Sequence, residues 1–259
     1  MNTTTGKCRS TFFFLGALLA LAGFSVLLLL VISQPPDVSA HIGDPFGPAC
    51  GMAVVDGVIN QDEWSAASSQ SFQMYSSGGT PFSASLYVMN SATHLYLGIL
   101  INDDEFSLKG TWLPQGDGFR IDFDNDNSGT LFTLNDDVLS ISAGAPQFFD
   151  EYVYNADTHS AQSDLIGGGT ADGSGSAKRV GGLNHFELKH PLCSGDALDF
   201  CLQPGDTVGF RLEYLDAQAD GSFGGSQLFP GSGNTSEADI VIGQCSIFEL
   251  FNYLPMLLR

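Results

Sequence analysis

Basic residues are scarce in this chain. Nine Lys and Arg stand against 29 Asp and Glu, a formal net charge of −20. A surface of that sign repels phosphate backbones and argues against nucleic-acid binding. Charge of either sign is sparse, at 15% of residues, while 43% are hydrophobic and 20 are Phe. An acidic disordered tail is thereby excluded, because such chains lack the apolar residues to build a core. No Cys-x-x-Cys pair occurs and no histidine neighbours a cysteine pair, which removes the common zinc-module spacings. His159, His185 and His190 have no Gly-x-Ser-x-Gly nucleophile motif nearby. After residue 40 there is no convincing amphipathic helix.

The first 40 residues read as a targeting segment. Lys7 and Arg9 precede an uncharged apolar run over residues 11–32, followed by Pro35-Pro36 and the small-residue cleavage site Val38-Ser39-Ala40. As a helix the run would cover about 33 Å, enough for a bilayer core. It is therefore a cleaved signal peptide or an uncleaved signal-anchor. Either way the remainder is placed outside the cell, secreted or on the outer face of the membrane. Setting aside Lys7, Arg9 and Asp37 leaves 28 acids against 7 bases in the exported part. Such a balance suits solubility, calcium and neutral ligands such as sugars.

Cys8 lies before the apolar run, leaving Cys50, Cys193, Cys201 and Cys245 in the exported part. Four cysteines outside the cell read as two disulfides, with three pairings open. Cys193 and Cys201 flank a short segment that could close as a hairpin clasp. Cys50 and Cys245 would then tie the two ends of the domain, a closure worth several kcal/mol.

Short alternating runs follow one another with turn residues between them. Expected strands are Met52–Val55, Phe72–Tyr75, Phe82–Met89, His94–Asn102, Gly118–Phe123, Val138–Ala143, Gln147–Asn155, His185–Lys189, Thr207–Asp216 and Ala238–Ile242. Leu95, Leu97, Ile99 and Ile101 share one face of their strand. So do Val208, Phe210, Leu212 and Tyr214, with Arg211 and Glu213 opposite. Ten such strands predict an all-β fold, an antiparallel sandwich (jelly-roll or immunoglobulin-like) or a flattened barrel. Asp62–Ala67 is expected to form one helical turn, and the glycine-rich stretches 167–176 and 220–234 are expected to be loops. The domain is expected over residues 41–247, a monomer, with residues 248–259 as an apolar tail too short to span a membrane.

The strongest chemical signal is Asp124-Asn125-Asp126-Asn127-Ser128-Gly129, which follows the strand ending at Phe123. Oxygen ligands at alternating positions before a glycine suit calcium, because Gly129 permits the turn that lets short side chains converge. Asp136 and Asp137 would stand in for a late bidentate Glu, since Asn135 occupies that position. Asp122 could add an oxygen. The predicted metal ligands are thus Asp122, Asp124, Asp126, Ser128, Asp136 and Asp137. Asp/Asn-rich turns also form without ions.

Several runs resemble carbohydrate-binding module family 9, a DOMON-like fold. Val54-Val55-Asp56-Gly57-Val58-Ile59-Asn60 with Glu63-Trp64 is similar to its opening. Residues 95–104 resemble its strand ending in an acidic turn, and residues 117–124 its Asp-x-hydrophobic-Glu strand, although Arg120 sits where the family usually has Glu. Phe186-Glu187-Leu188 through Pro191-Leu192 resembles its late strand. The matches span residues 52–243. The resemblance implies a β-sandwich with structural calcium that binds polysaccharide or another glycan, with haem binding in some relatives.

Sugar binding requires an aromatic face beside polar groups. Trp64 is expected in the core and Trp112, in the loop 109–116, is the candidate platform. Phe148, Phe149, Tyr152 and Tyr154 are more simply explained by a buried strand. Haem would need ligands such as Met74, Met89 or His94. Carboxylates are plentiful, but none stands in a sequence context that would desolvate a catalytic acid, and His185 and His190 are expected at the surface. The expectation is a non-catalytic carbohydrate-binding module, the alternative being an envelope interaction domain without sugar affinity. Asn234-Thr235-Ser236 fits a glycosylation acceptor.

Overall fold

A computed structural model describes residues 41–76, 80–110, 115–232 and 236–246. The apolar run 11–32, Trp112, the site at 234–236 (save Ser236) and the tail 248–259 lie outside the described residues. Among the described residues no helix is long and apolar enough to cross a membrane.

The fold is two antiparallel sheets packed face to face. One contains β1 (Ser68–Gln73), β3 (Ser83–Asn90), β4 (His94–Ile101), β9 (Ser174–Val180) and β10 (Leu183–Pro191), in the order β1-β3-β4-β10-β9. The other contains β2 (Tyr75–Ser76), β5 (Gly118–Asp124), β6 (Asp137–Ser142), β7 (Phe148–Asn155), β8 (Ser160–Ser163), β11 (Thr207–Ala217), β12 (Phe223–Phe229) and β13 (Ala238–Val241). Its order is β2-β12-β11-β5-β6-β7-β8, with β13 paired to the start of β11. Among the described residues there are also two four-residue helical turns, α1 (Gln61–Trp64) and α2 (Asp164–Gly167).

Period-two patterning explains the core. Leu95, Leu97, Ile99 and Ile101 of β4 face Val208, Phe210, Leu212 and Tyr214 of β11 across one buried cluster, joined by Phe119, Ile121 and Phe123 of β5. Eight expected strands are found nearly as read: β3, β4, β5, β6, β7, β10, β11 and β13; the run expected at Phe72–Tyr75 straddles the end of β1 and the start of β2. The run expected at Met52–Val55 forms no strand. β9 begins in the first glycine-rich stretch expected to be a loop and β12 lies inside the second; Gly and Ser carry little strand propensity there, and pairing with β10 and β11 supplies the order. β8 likewise comes from pairing with β7.

Instead of a strand, residues 50–67 drape over the outer face of β3 and β4. Trp64 is 3% exposed there and packs with Met89 and Tyr96 in a second apolar cluster. One side chain organises this cover. The Oε2 atom of Glu187 on β10 accepts N–H bonds from Asp56 (3.0 Å), Gly57 (2.8 Å) and Val58 (3.1 Å). Its Oε1 accepts the indole Nε1–H of Trp64 at 2.8 Å. Gly57 supplies the positive φ, +85°, that turns three successive N–H groups toward one point. Asn60 caps α1 by accepting from the N–H of Glu63 at 3.0 Å.

Both disulfides take the expected pairing, Cys50–Cys245 and Cys193–Cys201. Asn90 seats the C-terminal strand beside the first of them. It donates to the Gly243 carbonyl at 2.9 Å and accepts from the Gly243 N–H at 2.8 Å.

Glu187→Gln keeps the shape but gives up a charged acceptor that serves four donors. We expect a loss of about 2 kcal/mol in urea unfolding, or about 4–8 °C in melting temperature for a domain of this size. An unchanged midpoint would show that the cover is held by packing alone.

Candidate metal centres

The six expected metal ligands part in three directions. Asp122 is held by two guanidiniums, accepting from Arg120 Nε at 2.7 Å and from Arg211 at 2.9 Å. Arg211 in turn lies 4.6 Å from the centroid of Phe132, whose other face stacks on His159. The charge of Asp122 is thus cancelled within the sheet, away from the hairpin.

Asp124, Asp126 and Ser128 do gather in the hairpin between β5 and β6. Asp124 is buried, and its Oδ2 accepts the N–H groups of Gly129 (2.7 Å) and Thr130 (3.2 Å). Ser128 Oγ lies 3.4 Å from Asp124 Oδ1. Gly129 has the required positive φ, +80°, and Leu131 tucks inward as expected. Asp126 contacts Asp124. Burial first, and that contact second, raise Asp124 above the ordinary carboxylate range, while the contact with Asp124 holds Asp126 below it. Asp136 borders the hairpin and accepts from the Thr133 N–H at 2.7 Å.

Sequence reading missed Glu237, which begins the return to β13. Its side chain is fully buried beside Asp124; neither oxygen accepts a hydrogen bond, and the His41 imidazole lies 3.6 Å from its Oε1. Burial, then the adjacent Asp124 charge, push it up to about 7. It lies 109 residues beyond Ser128 in the chain, so only the pairing of β13 with β11 and of β11 with β5 brings it to the hairpin.

Asp137 turns the opposite way from Asp136, into the interior, as alternation demands. Its row continues through Leu139 and Ile141 of β6, both core residues. There it meets Asp150 of β7, Asp164 at the start of α2, Asp199, and His190 of β10. His190 is fully buried, which corrects the expectation that it lies at the surface. It follows Phe186 and Leu188 in the inward row of its strand, a signal present in the sequence but outweighed by the polarity of histidine. His185 is also buried, and its Nδ1 accepts from the Ile59 N–H at 3.1 Å. The expectation that no acid is desolvated is corrected too. Both oxygens of Asp137, Asp164 and Asp199, and Oδ1 of Asp150, are buried without donors. Burial and crowding raise Asp137 well above the ordinary range and Asp164 to about 8. Burial alone would depress the His190 imidazole, but contact with Asp150 and the surrounding carboxylates outweigh it, to about 9. One oxygen or nitrogen from each of Asp137, His190 and Asp199 lies within 4.8 Å of the others. The same holds for Asp150, Asp172 and Asp199, and for Asp164, Asp196 and Asp199. These acidic groups could hold a metal ion.

A third acid group, Asp103, Asp117 and Asp216, closes the base of the segment that carries Trp112. Here donors are present. Asp117 accepts from the N–H groups of Ser107 (2.8 Å) and Ala217 (2.9 Å), and Asp103 from the Tyr214 hydroxyl at 2.6 Å. Of the other residues singled out from sequence, Met74 is in the main core and Met89 under Trp64, in different clusters. His94 contacts the Thr93 hydroxyl at 2.8 Å. Tyr152 is buried and Tyr154 exposed.

The two-sheet fold is similar to that of solved family 9 carbohydrate-binding modules. A family 9 module from Caldicellulosiruptor kristjanssonii in complex with cellotriose superposes with a TM-score of 0.54 at 16% identity, over 76% of this chain and 93% of that one. The same kind of module from that organism in complex with glucose gives 0.53 at 16%, over 77% and 95%. No protein-family model matches the chain, and no curated protein matches it.

Burial raises Asp117 to about 7 and Asp216 to about 6. The folded state therefore keeps protons that the unfolded chain releases near pH 4. Stability from these groups is full below pH 4 and is lost as pH rises through 6 and 7. In chelator, the melting temperature should decline from pH 5 to pH 8, and Asp216→Asn should flatten the lower half of that decline. A melting temperature that rises over this range would contradict it.

Proposed function

We propose that this chain is an exported, non-catalytic carbohydrate-binding module whose β5–β6 hairpin is stabilised by calcium. The observation that carries the sugar reading is the shared sandwich, which extends over 93% of a module bound to cellotriose. Its support in this chain is the anchoring of the segment containing Trp112. Its described flanks meet at Ser107 and Asp117, where the Asp117 N–H donates to the Ser107 carbonyl at 3.0 Å and the Ala143 N–H to the Asp117 carbonyl at 2.7 Å. A platform for a pyranose needs such a fixed base. Soluble and insoluble glucans should retain the wild-type protein in pull-down, and Trp112→Ala should release it. Retention by no polysaccharide would defeat the sugar reading.

Calcium is assigned to Asp124, Asp126 and Ser128 with Glu237 as the remote carboxylate, an all-oxygen set of the kind a hard cation takes. Glu237 takes the place of the late bidentate Glu that the loop lacks. When bound, the ion would compensate the two buried carboxylates and fix the hairpin. Calcium at about 100 times its dissociation constant should add about 2.7 kcal/mol, seen as a rise of about 5–10 °C. Glu237→Gln should abolish that rise. A melt indifferent to calcium and to EDTA would remove the site.

A further inference from the structure

The interior cluster differs in kind from the hairpin because it contains a histidine. His190 is fully buried at the end of β10, and its Nδ1 lies 2.9 Å from the carbonyl oxygen of Pro191. A carbonyl can only accept, so Nδ1 carries the proton. Nε2 faces the carboxylates and has no hydrogen-bond partner of its own; on giving up its proton it would offer its lone pair to a metal there. Its distances to Asp199 Oδ2 and Asp150 Oδ2 are 3.6 and 3.7 Å. These are too long for hydrogen bonds. They are near the separation of two atoms that share one small cation at bond lengths of about 2.0–2.1 Å. Asp137, on the facing sheet, offers two more oxygens without donors. An imidazole whose far nitrogen is fixed by a backbone carbonyl is the usual arrangement of a metal-ligating histidine.

Calcium takes oxygen and leaves an imidazole lone pair unused. A borderline first-row dication accepts imidazole and carboxylate together. We propose that Asp137, His190 and Asp199, flanked by Asp150, form a buried zinc-class centre that joins β6 of one sheet to β10 of the other, separate from the calcium hairpin. Its charge would offset the desolvated carboxylates at the place where the sheets meet.

The full chain, stripped by a chelator and dialysed against equimolar zinc and calcium, should retain one equivalent of zinc by elemental analysis. Excess calcium should not displace it. His190→Gln should lower zinc affinity by more than about 100-fold, beyond the loss typical of an outer partner, while the calcium-dependent rise in melting temperature persists. Glu237→Gln should do the reverse, so the two centres fail independently. Cobalt(II) in the wild-type protein should give intense visible bands of low coordination, and this reading stands even if His190→Gln does not fold. No retained zinc, displacement by calcium, unchanged zinc affinity in His190→Gln, or the weak spectrum of octahedral cobalt would each overturn the proposal.

Discussion

A carboxylate taken out of water must find donors, a cation or a proton, and this fold buries many of them. Uncompensated, each costs several kcal/mol, so how each one is satisfied decides which local structure can form. Glu187 is satisfied by four N–H groups, and that one anion holds the cover of residues 56–64 against the outer face of its sheet. Asp122 is satisfied by Arg120 and Arg211, which locks β5 to β11. Asp117 is satisfied by the Ser107 N–H across the loop it closes and by the Ala217 N–H at the end of β11. Glu237, Asp137, Asp164 and Asp199 accept no hydrogen bond, and imidazoles stand 3.6 Å from Glu237 and from Asp199. A bound cation would answer the demand that remains.

The frame that presents these acids was legible because strands with one wet face alternate. β4 and β11 could be read residue by residue; the helical turn expected at Asp62–Ala67 was found at Gln61–Trp64. β9 and β12 could not be read in that way. Ser174-Gly175-Ser176 and Phe223-Gly224-Gly225-Ser226 have the composition of loops, and hairpin pairing with the neighbouring strands β10 and β11 orders them. Cross-strand pairing overrides local propensity there.

The hairpin was legible because its polar side chains are local. Asp124, Asp126 and Ser128 converge within five residues. The rest of the site chemistry is non-local. Glu237 reaches Asp124 across two strand pairings, and Asp199 reaches His190 through the segment closed by Cys193–Cys201. Asp122 is spaced correctly but answers to Arg211, 89 residues away. Sequence spacing registers a ligand but not the competitor that claims it.

Asp136 and Asp137 show how fine that division is. As sequence neighbours at the start of a strand they must point to opposite sides. Asp136 faces the hairpin and bonds the Thr133 N–H, whereas Asp137 faces the core row of Leu139 and Ile141. The Asp137 N–H still reaches back to Asn125 Oδ1 at 3.1 Å, so a single peptide borders both the outer hairpin and the interior cluster. A one-residue shift in the register of β6 would exchange the two carboxylates, moving Leu139 and Ile141 out of the core with them. The apolar row therefore fixes which acid serves which centre: the packing that excludes water from the sandwich also sorts its charges.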